Sequence, residues 1–206
     1  MTTAPRPAGT PEPLRLHIGG EEKREGWKIL NAQPGPSVDF VGKCDDLSQF
    51  ADGSVDEIYA SHVLEHLSYM DELPRTLYEV SRVMKVGGVL RMAVPDLDVL
   101  CRFMTVGNLP WAQKFHVMRM IYGGQIDPYD FHKVGYTAEL LAPMLDAYCF
   151  EKIERVPSFG MFQDCSELKL GNYSISLNVQ AVRKAGAPPK QCPWHPPGYE
   201  YPVHKK

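Results

Sequence analysis

The stretch Asp52-Gly-Ser-Val-Asp-Glu-Ile-Tyr-Ala-Ser-His-Val-Leu-Glu-His-Leu67 changes its period halfway along. Asp52-Gly-Ser54 is a turn signal, and Val55 to Ala60 is rich in strand formers, so a strand is predicted there. From Val63 the apolar residues recur at helical spacing: Val63, Leu64, Leu67, Leu73, Leu77, Val80 and Val83. Gly87-Gly88 is expected to end that helical region, with Lys85 near its C-terminus. Val89-Leu-Arg-Met-Ala-Val94 is then a near-continuous apolar run stopped by Pro95-Asp96. A run of that kind suits a strand buried on both faces, as in a parallel sheet.

Working outward, Leu14 to Ile18, Trp27 to Leu30 and Val38 to Val41 read as short strands. Gly19-Gly20 and Gln33-Pro-Gly-Pro36 punctuate them. Downstream, Asp96 suits the cap of a helix from Leu97 to Met104. A second helix is expected from Pro110 to Tyr122, with Trp111, Phe115, Met118 and Ile121 as its packing stripe. Thr137 opens another helix, and strands at Phe150 to Val156 and Tyr173 to Val182 complete the pattern. Strands alternating with helices predict a doubly wound, Rossmann-like α/β fold with a mostly parallel sheet, whose ligands sit at the carboxyl ends of the strands. Gly19 to Glu21, Asn31, Asp45-Asp46, Ser61-His62 and Pro95-Asp96 then surround one crevice.

The 206 residues suit one domain, expected over 14–183, between a disordered arm at 1–13 and a proline-rich irregular tail at 184–206. Hydrophobic residues make up 44% and charged ones 23%, and the formal net charge is −3. With no basic stripe, nucleic acid is not an expected partner. The arm has no apolar run for a signal peptide, and the apolar stretches are too short to span a membrane. Five scattered cysteines without a CxxC pair suit reduced thiols, so a cytoplasmic location is expected.

The run Asp52 to Leu67 resembles the fourth-strand region of class I S-adenosylmethionine-dependent methyltransferases. Arg82-Val-Met-Lys-Val-Gly-Gly-Val-Leu-Arg-Met-Ala-Val-Pro-Asp96 is similar to their turn into the fifth strand. The chain further resembles a bacterial group of predicted methyltransferases associated with glycan assembly, which share a segment like Tyr122-Gly-Gly-Gln-Ile-Asp-Pro-Tyr-Asp-Phe-His-Lys133. The similarity covers roughly 14–182. It implies S-adenosylmethionine as cofactor and methylation of an oxygen on a sugar or related small acceptor.

The resemblance also implies site residues. The family's G-x-G-x-G loop falls on Gly19-Gly20-Glu21-Glu22-Lys23, where only the first glycine of the pattern remains. Asn31 stands where an acidic residue usually holds the ribose. Asp45, Asp46 and Leu47 correspond to the segment beside the adenine, and Ser61 and His62 face the crevice. Tyr129, Asp130 and His132 are the candidate catalytic residues, with His132 or Asp130 taking the acceptor's proton. Only Gly19 to Gly26 separates the first two strands, too little for a crossover helix if those strands are parallel neighbours. These departures support an alternative reading, a methyltransferase-like binding or scaffold protein.

Other patterns have plainer readings. His62-Val-Leu-Glu-His66 spells a zinc-peptidase signature, but its place after a strand argues against a zinc hydrolase, and no metal is expected. Glu65 and His66 are instead expected to form a hydrogen-bonded pair fixing a helix start, with Ser61 as its N-cap. His17, between apolar neighbours, reads as a core histidine, and Phe131 as a plug in the core. Trp194 and His195 lie in the tail without a clear role.

Overall fold

The computed structural model describes residues 12–190; the expected arm up to Pro11 and the tail from Gln191 lie outside them. The strands are β1 (Arg15–Ile18), β2 (Trp27–Asn31), β3 (Phe40–Val41), β4 (Val55–Ser61), β5 (Met84–Pro95), β6 (Phe150–Arg155), β7 (Lys169–Leu170), β8 (Tyr173–Ser174) and β9 (Ser176–Arg183). The helices are α1 (Glu72–Val83), α2 (Leu97–Thr105), α3 (Trp111–Tyr122) and α4 (Ala138–Ala147). Seven strands make one sheet in the order β3-β2-β1-β4-β5-β9-β6, and β7 and β8 form a separate hairpin. Pairs from β3 across to β5 are parallel, while β9 runs antiparallel between β5 and β6. The chain leaves β1 toward β2 on one side and returns to β4 on the other. That reversal is the topological switch point, where a ligand crevice is expected.

One face of the sheet buries Leu16, Ile18, Leu30, Ile58, Leu90 and Met92 against Leu73, Leu77 and Val80 of α1 and Leu141 and Leu145 of α4. The expected caps are present: Asp96 accepts from Val99 N at 3.3 Å, and Thr137 Oγ1 accepts from Leu140 N at 3.3 Å. Among the described residues no helix is long and apolar enough to cross a membrane. The four described cysteines are free.

The other face explains the short first crossover. β1 and β2 are parallel neighbours joined by a loop alone, so no helix covers that part of the sheet. The connection is feasible because the strands are short. A four-residue strand is about 13 Å long, and eight extended residues reach about 26 Å. The segment after β6 supplies the cover instead. Phe162 packs into a cluster with Trp27 and Tyr59, joined by Phe159 and Met161. Gln163 N donates to Glu22 Oε2 at 2.8 Å, and Arg24 bonds the carbonyl of Met161, tying segment and loop together. His17 is buried there, its ring 4.1 Å from that of Phe162, and burial holds its pKa down to about 4.

Several sequence expectations are corrected. Ser61 is the last residue of β4, not an N-cap; a single 3-10 turn, Leu64–His66, follows, and α1 begins only at Glu72. The helix stops at Val83, so Gly87-Gly88 lies inside β5 and not at a helix end. There the register with β4 shifts between Val55 and Glu57, and a Cβ on Gly88 would stand 2.9 Å from the carbonyl oxygen of Asp56. The glycines serve close approach at a bulge. The stripe on α3 is core only at its end, where half-buried Ile121 packs on the cluster of Leu100, Val117 and Ile175. Trp111 is 77% exposed and stacks on Phe115, and only Val117 of that helix is buried. Phe131 is also exposed and plugs nothing.

Candidate active site

A crevice of about 440 Å³ opens at the carboxyl ends of β1, β2 and β4, a size within the usual range for small-molecule sites. Its floor and walls include Gly19, Glu21, Asn31, Asp45 and His62, all expected from the sequence. Gly19 has φ +75°, and a Cβ on it would come within 2.6 Å of Val63 Cγ2, so this position takes glycine. A Cβ on Gly20 would collide with the His17 ring. The two glycines let the loop close tightly over the end of β1.

The remaining expected residues divide. Asp45 lines the crevice and its carboxylate is held by Arg75 at 2.7 Å. Asp46 is exposed, accepts from Ser48 N at 3.1 Å and is not part of the lining. Leu47 is fully buried core, with its N–H donating to Glu79, and is not part of the lining. Ser61 is outside the lining, its Oγ buried at the carboxyl end of β4. Asn31 spends both ends of its amide inside the protein: Nδ2 donates to Gly20 O at 3.2 Å and Oδ1 accepts from Gln33 N at 3.0 Å. It braces the loop where the family's acidic residue would face the ligand.

Of the catalytic candidates, only Tyr129 lines the crevice. Asp130 is turned into its own loop, where it accepts from Gly124 N at 3.2 Å and Ile126 N at 3.4 Å. That makes it a loop brace that does not line the crevice. His132 stands behind His66, with ring centroids 4.8 Å apart. The loop carrying His132 is drawn onto the 3-10 turn because Lys133 N and Val134 N both donate to the carbonyl of Glu65, at 2.7 and 3.2 Å.

This juxtaposition builds a cluster. The side chains of Glu65, His66 and His132 each present a ligating atom, all within 4.8 Å of one another. His66 Nδ1 meets Phe131 O at 3.2 Å and His132 Nδ1 meets Met120 O at 3.0 Å. A carbonyl only accepts, so both rings donate from Nδ1, and in the neutral form of each ring Nε2 is a lone pair. Burial also lowers the pKa of His132, against the opposing pull of the Glu65 charge. The expected Glu65–His66 hydrogen bond is absent. Glu65 is fully buried, and neither carboxylate oxygen has a hydrogen-bond partner among the described residues.

His62 completes the wall. Its φ of +54° is a left-handed conformation uncommon for a side-chain-bearing residue. Ser176 Oγ donates to Cys165 O at 2.6 Å, so it accepts from His62 Nε2 at 3.0 Å. The other nitrogen, Nδ1, lies 3.0 Å from Glu65 Oε1, without the angles of a hydrogen bond. Sequence reasoning missed His66, Lys43, Glu72 and Lys133 as lining residues. Lys133 adjoins the quoted Tyr122–Lys133 segment and pairs with Glu72 at 2.6 Å, but no local pattern links those two positions.

The crevice suits S-adenosylmethionine in charge as well as place. That molecule carries a sulfonium and an ammonium against one carboxylate, a net positive charge. Glu21, Asp45 and Glu72 line the crevice against Lys43 and Lys133, a net negative lining if the histidines are neutral.

Residues 22–92 match a family model described as a methyltransferase domain. No protein of curated function matches the chain. A solved structure from Thermotoga maritima, titled an S-adenosylmethionine-dependent methyltransferase and possible histamine N-methyltransferase, is 21% identical with a TM-score of 0.53. The alignment covers 85% of this chain and 84% of that one. An S-adenosylmethionine-dependent methyltransferase from Archaeoglobus fulgidus gives a TM-score of 0.53 at 16% identity, covering 83% and 86%. These likenesses establish the fold as that of the methyltransferases. The domain match, which runs from the β1–β2 loop into β5, supports an enzyme with S-adenosylmethionine as its cofactor.

Proposed function

We propose that the protein transfers a methyl group from S-adenosylmethionine to a hydroxyl oxygen of a sugar or related small acceptor. The observation that carries this reading is His66, which lines the crevice with its ring N–H spent on Phe131 O and is backed by Glu65 and His132. Its free ring nitrogen orients a group that brings a proton, as a hydroxyl does, and can receive that proton.

The backbone at Gly19 and Gly20 would lie beside the methionine part of the cofactor, and Asp45 would accept from the adenine amine. Bound there, the cofactor supplies a methyl on a good leaving group. The chain's own contribution is alignment and exclusion of water, with Tyr129 and Lys133 positioning the acceptor at the crevice mouth. The sugar assignment draws on the resemblance to the glycan-associated group. With a net charge of −3, nucleic acid is not the acceptor we propose.

A second reading, a scaffold that has lost the cofactor, is favoured by the internal bonding of Asn31. The full chain, offered methyl-labelled cofactor with free sugars and lysate glycans, separates the two. We expect label in a product that resists mild alkali, as a methyl ether does. Label only in an alkali-labile ester rejects the hydroxyl acceptor. No label above a protein-free control, from folded chain, favours the scaffold.

A further inference from the structure

We infer that Glu65, His66 and His132 form a binding site for a first-row divalent metal ion, at the acceptor end of the crevice. Two neutral imidazoles and one carboxylate are a ligand set that zinc and iron(II) sites share, with positions left open for solvent or substrate. The sequence expectation of no metal weighed His62 with His66, Glu65 alongside and Glu139 as a third ligand, and did not weigh His132. The third ligand comes from the loop after α3, which the backbone bonds to Glu65 O bring alongside.

Three observations converge. First, the ligating atoms of the three side chains already lie within 4.8 Å of one another. Tetrahedral coordination at about 2.0–2.1 Å needs spacings near 3.4 Å, so side-chain adjustments of roughly 1 Å suffice. Second, both imidazoles donate from Nδ1 to backbone carbonyls, Phe131 O and Met120 O. That outer contact fixes the tautomer and aims Nε2 as a ligand, as it does in metal-binding histidines generally. Third, the Glu65 carboxylate is fully buried with neither oxygen hydrogen-bonded among the described residues, and with His62 neutral its neighbour Nδ1 at 3.0 Å offers it no proton, an expensive arrangement for a charge. A cation among the three resolves all of these lone pairs at once.

His62 stands on the crevice side, its Nδ1 3.0 Å from Glu65 Oε1, in reach of becoming a further ligand. His66 lines the crevice itself, so an open coordination position faces the acceptor's approach. A metal there would take the acceptor oxygen and lower its pKa, so that the hydroxyl proton would leave to solvent while the three side chains serve as ligands in place of proton acceptors. That role rests on the methyl-transfer reading; metal binding does not.

The test uses the full chain, stripped with chelator, dialysed and titrated with zinc or cobalt(II) in the absence of any methyl donor. One equivalent should bind, and cobalt should develop visible d–d absorption. The His66→Ala/His132→Ala double variant should lose affinity by at least about a hundredfold, more than loss of an outer-layer contact. His116→Ala, an exposed histidine on α3, should bind as the parent does. Glu65→Gln keeps the side chain's shape, so it guards against a double variant that fails to fold, and it should weaken binding at least about tenfold. Folded wild type taking up less than about a tenth of an equivalent of zinc, cobalt or manganese overturns the site. Unchanged affinity in folded Glu65→Gln, or in the double variant, overturns it too. Metal uptake without methyl transfer would reject the proposed function and leave the site standing.

Discussion

His132→Ala is expected to lower methyl transfer about a hundredfold or more while leaving affinity for S-adenosylhomocysteine within about threefold. The asymmetry follows from where the residue stands. His132 is outside the crevice lining and touches it only through His66, so removing its ring takes little from the cofactor. What it removes is the ring that backs His66, the member of the cluster that faces the crevice. Tyr129→Phe, at the crevice mouth, should raise KM more than it lowers kcat. Asp130→Asn should act through its loop, since its oxygens hold Gly124 N and Ile126 N. Circular dichroism must show each variant folded, because His132 Nδ1 also ties its loop to α3 through Met120 O. Wild-type turnover in His132→Ala would take the cluster out of the reaction.

Phe162→Ala should destabilise the fold by about 3–5 kcal/mol, the scale of a buried phenylalanine truncation. Phe162 is 6% exposed and touches the rings of His17, Trp27 and Tyr59, where other parts of the sheet are covered by a helix. Phe131→Ala, at an exposed position, should cost under about 1 kcal/mol. A pH dependence accompanies the large effect. His17 is neutral when folded, with its pKa lowered from 6.5 to about 4 by burial. Below 6.5 the unfolded chain binds the proton that the folded chain refuses, so stability is full above 6.5 and falls as pH drops toward 4. The loss amounts to about 3 kcal/mol and should vanish in His17→Phe. Denaturant melts at pH 7 and pH 4.5 measure both effects. A Phe162→Ala cost below about 1 kcal/mol would mean the segment after β6 does not cover the sheet.

Much of the fold was legible because its signals are local. The strands at Val55 and Val89, the helix through Leu73, Leu77 and Val80, and the caps Asp96 and Thr137 each rest on spacing within a dozen residues. Gly87-Gly88 misled because a glycine pair at a bulge and one at a helix end look alike in sequence. Trp111 and Phe115 misled because helical periodicity marks a common face without saying whether anything packs on it. The missing first crossover helix was visible as a short gap, but its substitute, Phe162, comes from the far end of the chain.

The crevice was legible to the extent that it follows strand ends, which is how Gly19, Glu21, Asn31, Asp45 and His62 were found. Its chemistry was not. Asn31 and Asp130 look like ligand-facing groups in sequence, and only the hydrogen bonds reveal that both are spent bracing loops. The Glu65–His66–His132 cluster depends on Lys133 and Val134 docking on the Glu65 carbonyl, a contact with no periodicity to announce it.

The crevice at the ends of β1, β2 and β4 should hold the adenosyl cofactor, and calorimetric titration of the full chain with S-adenosylhomocysteine measures that binding. The wild type should bind one equivalent, Asp45→Ala should bind at least about tenfold more weakly, and Asp46→Ala should bind within about threefold of the wild type. No heat and no competition at millimolar ligand from folded chain, or equal binding by wild type and Asp45→Ala, would contradict it.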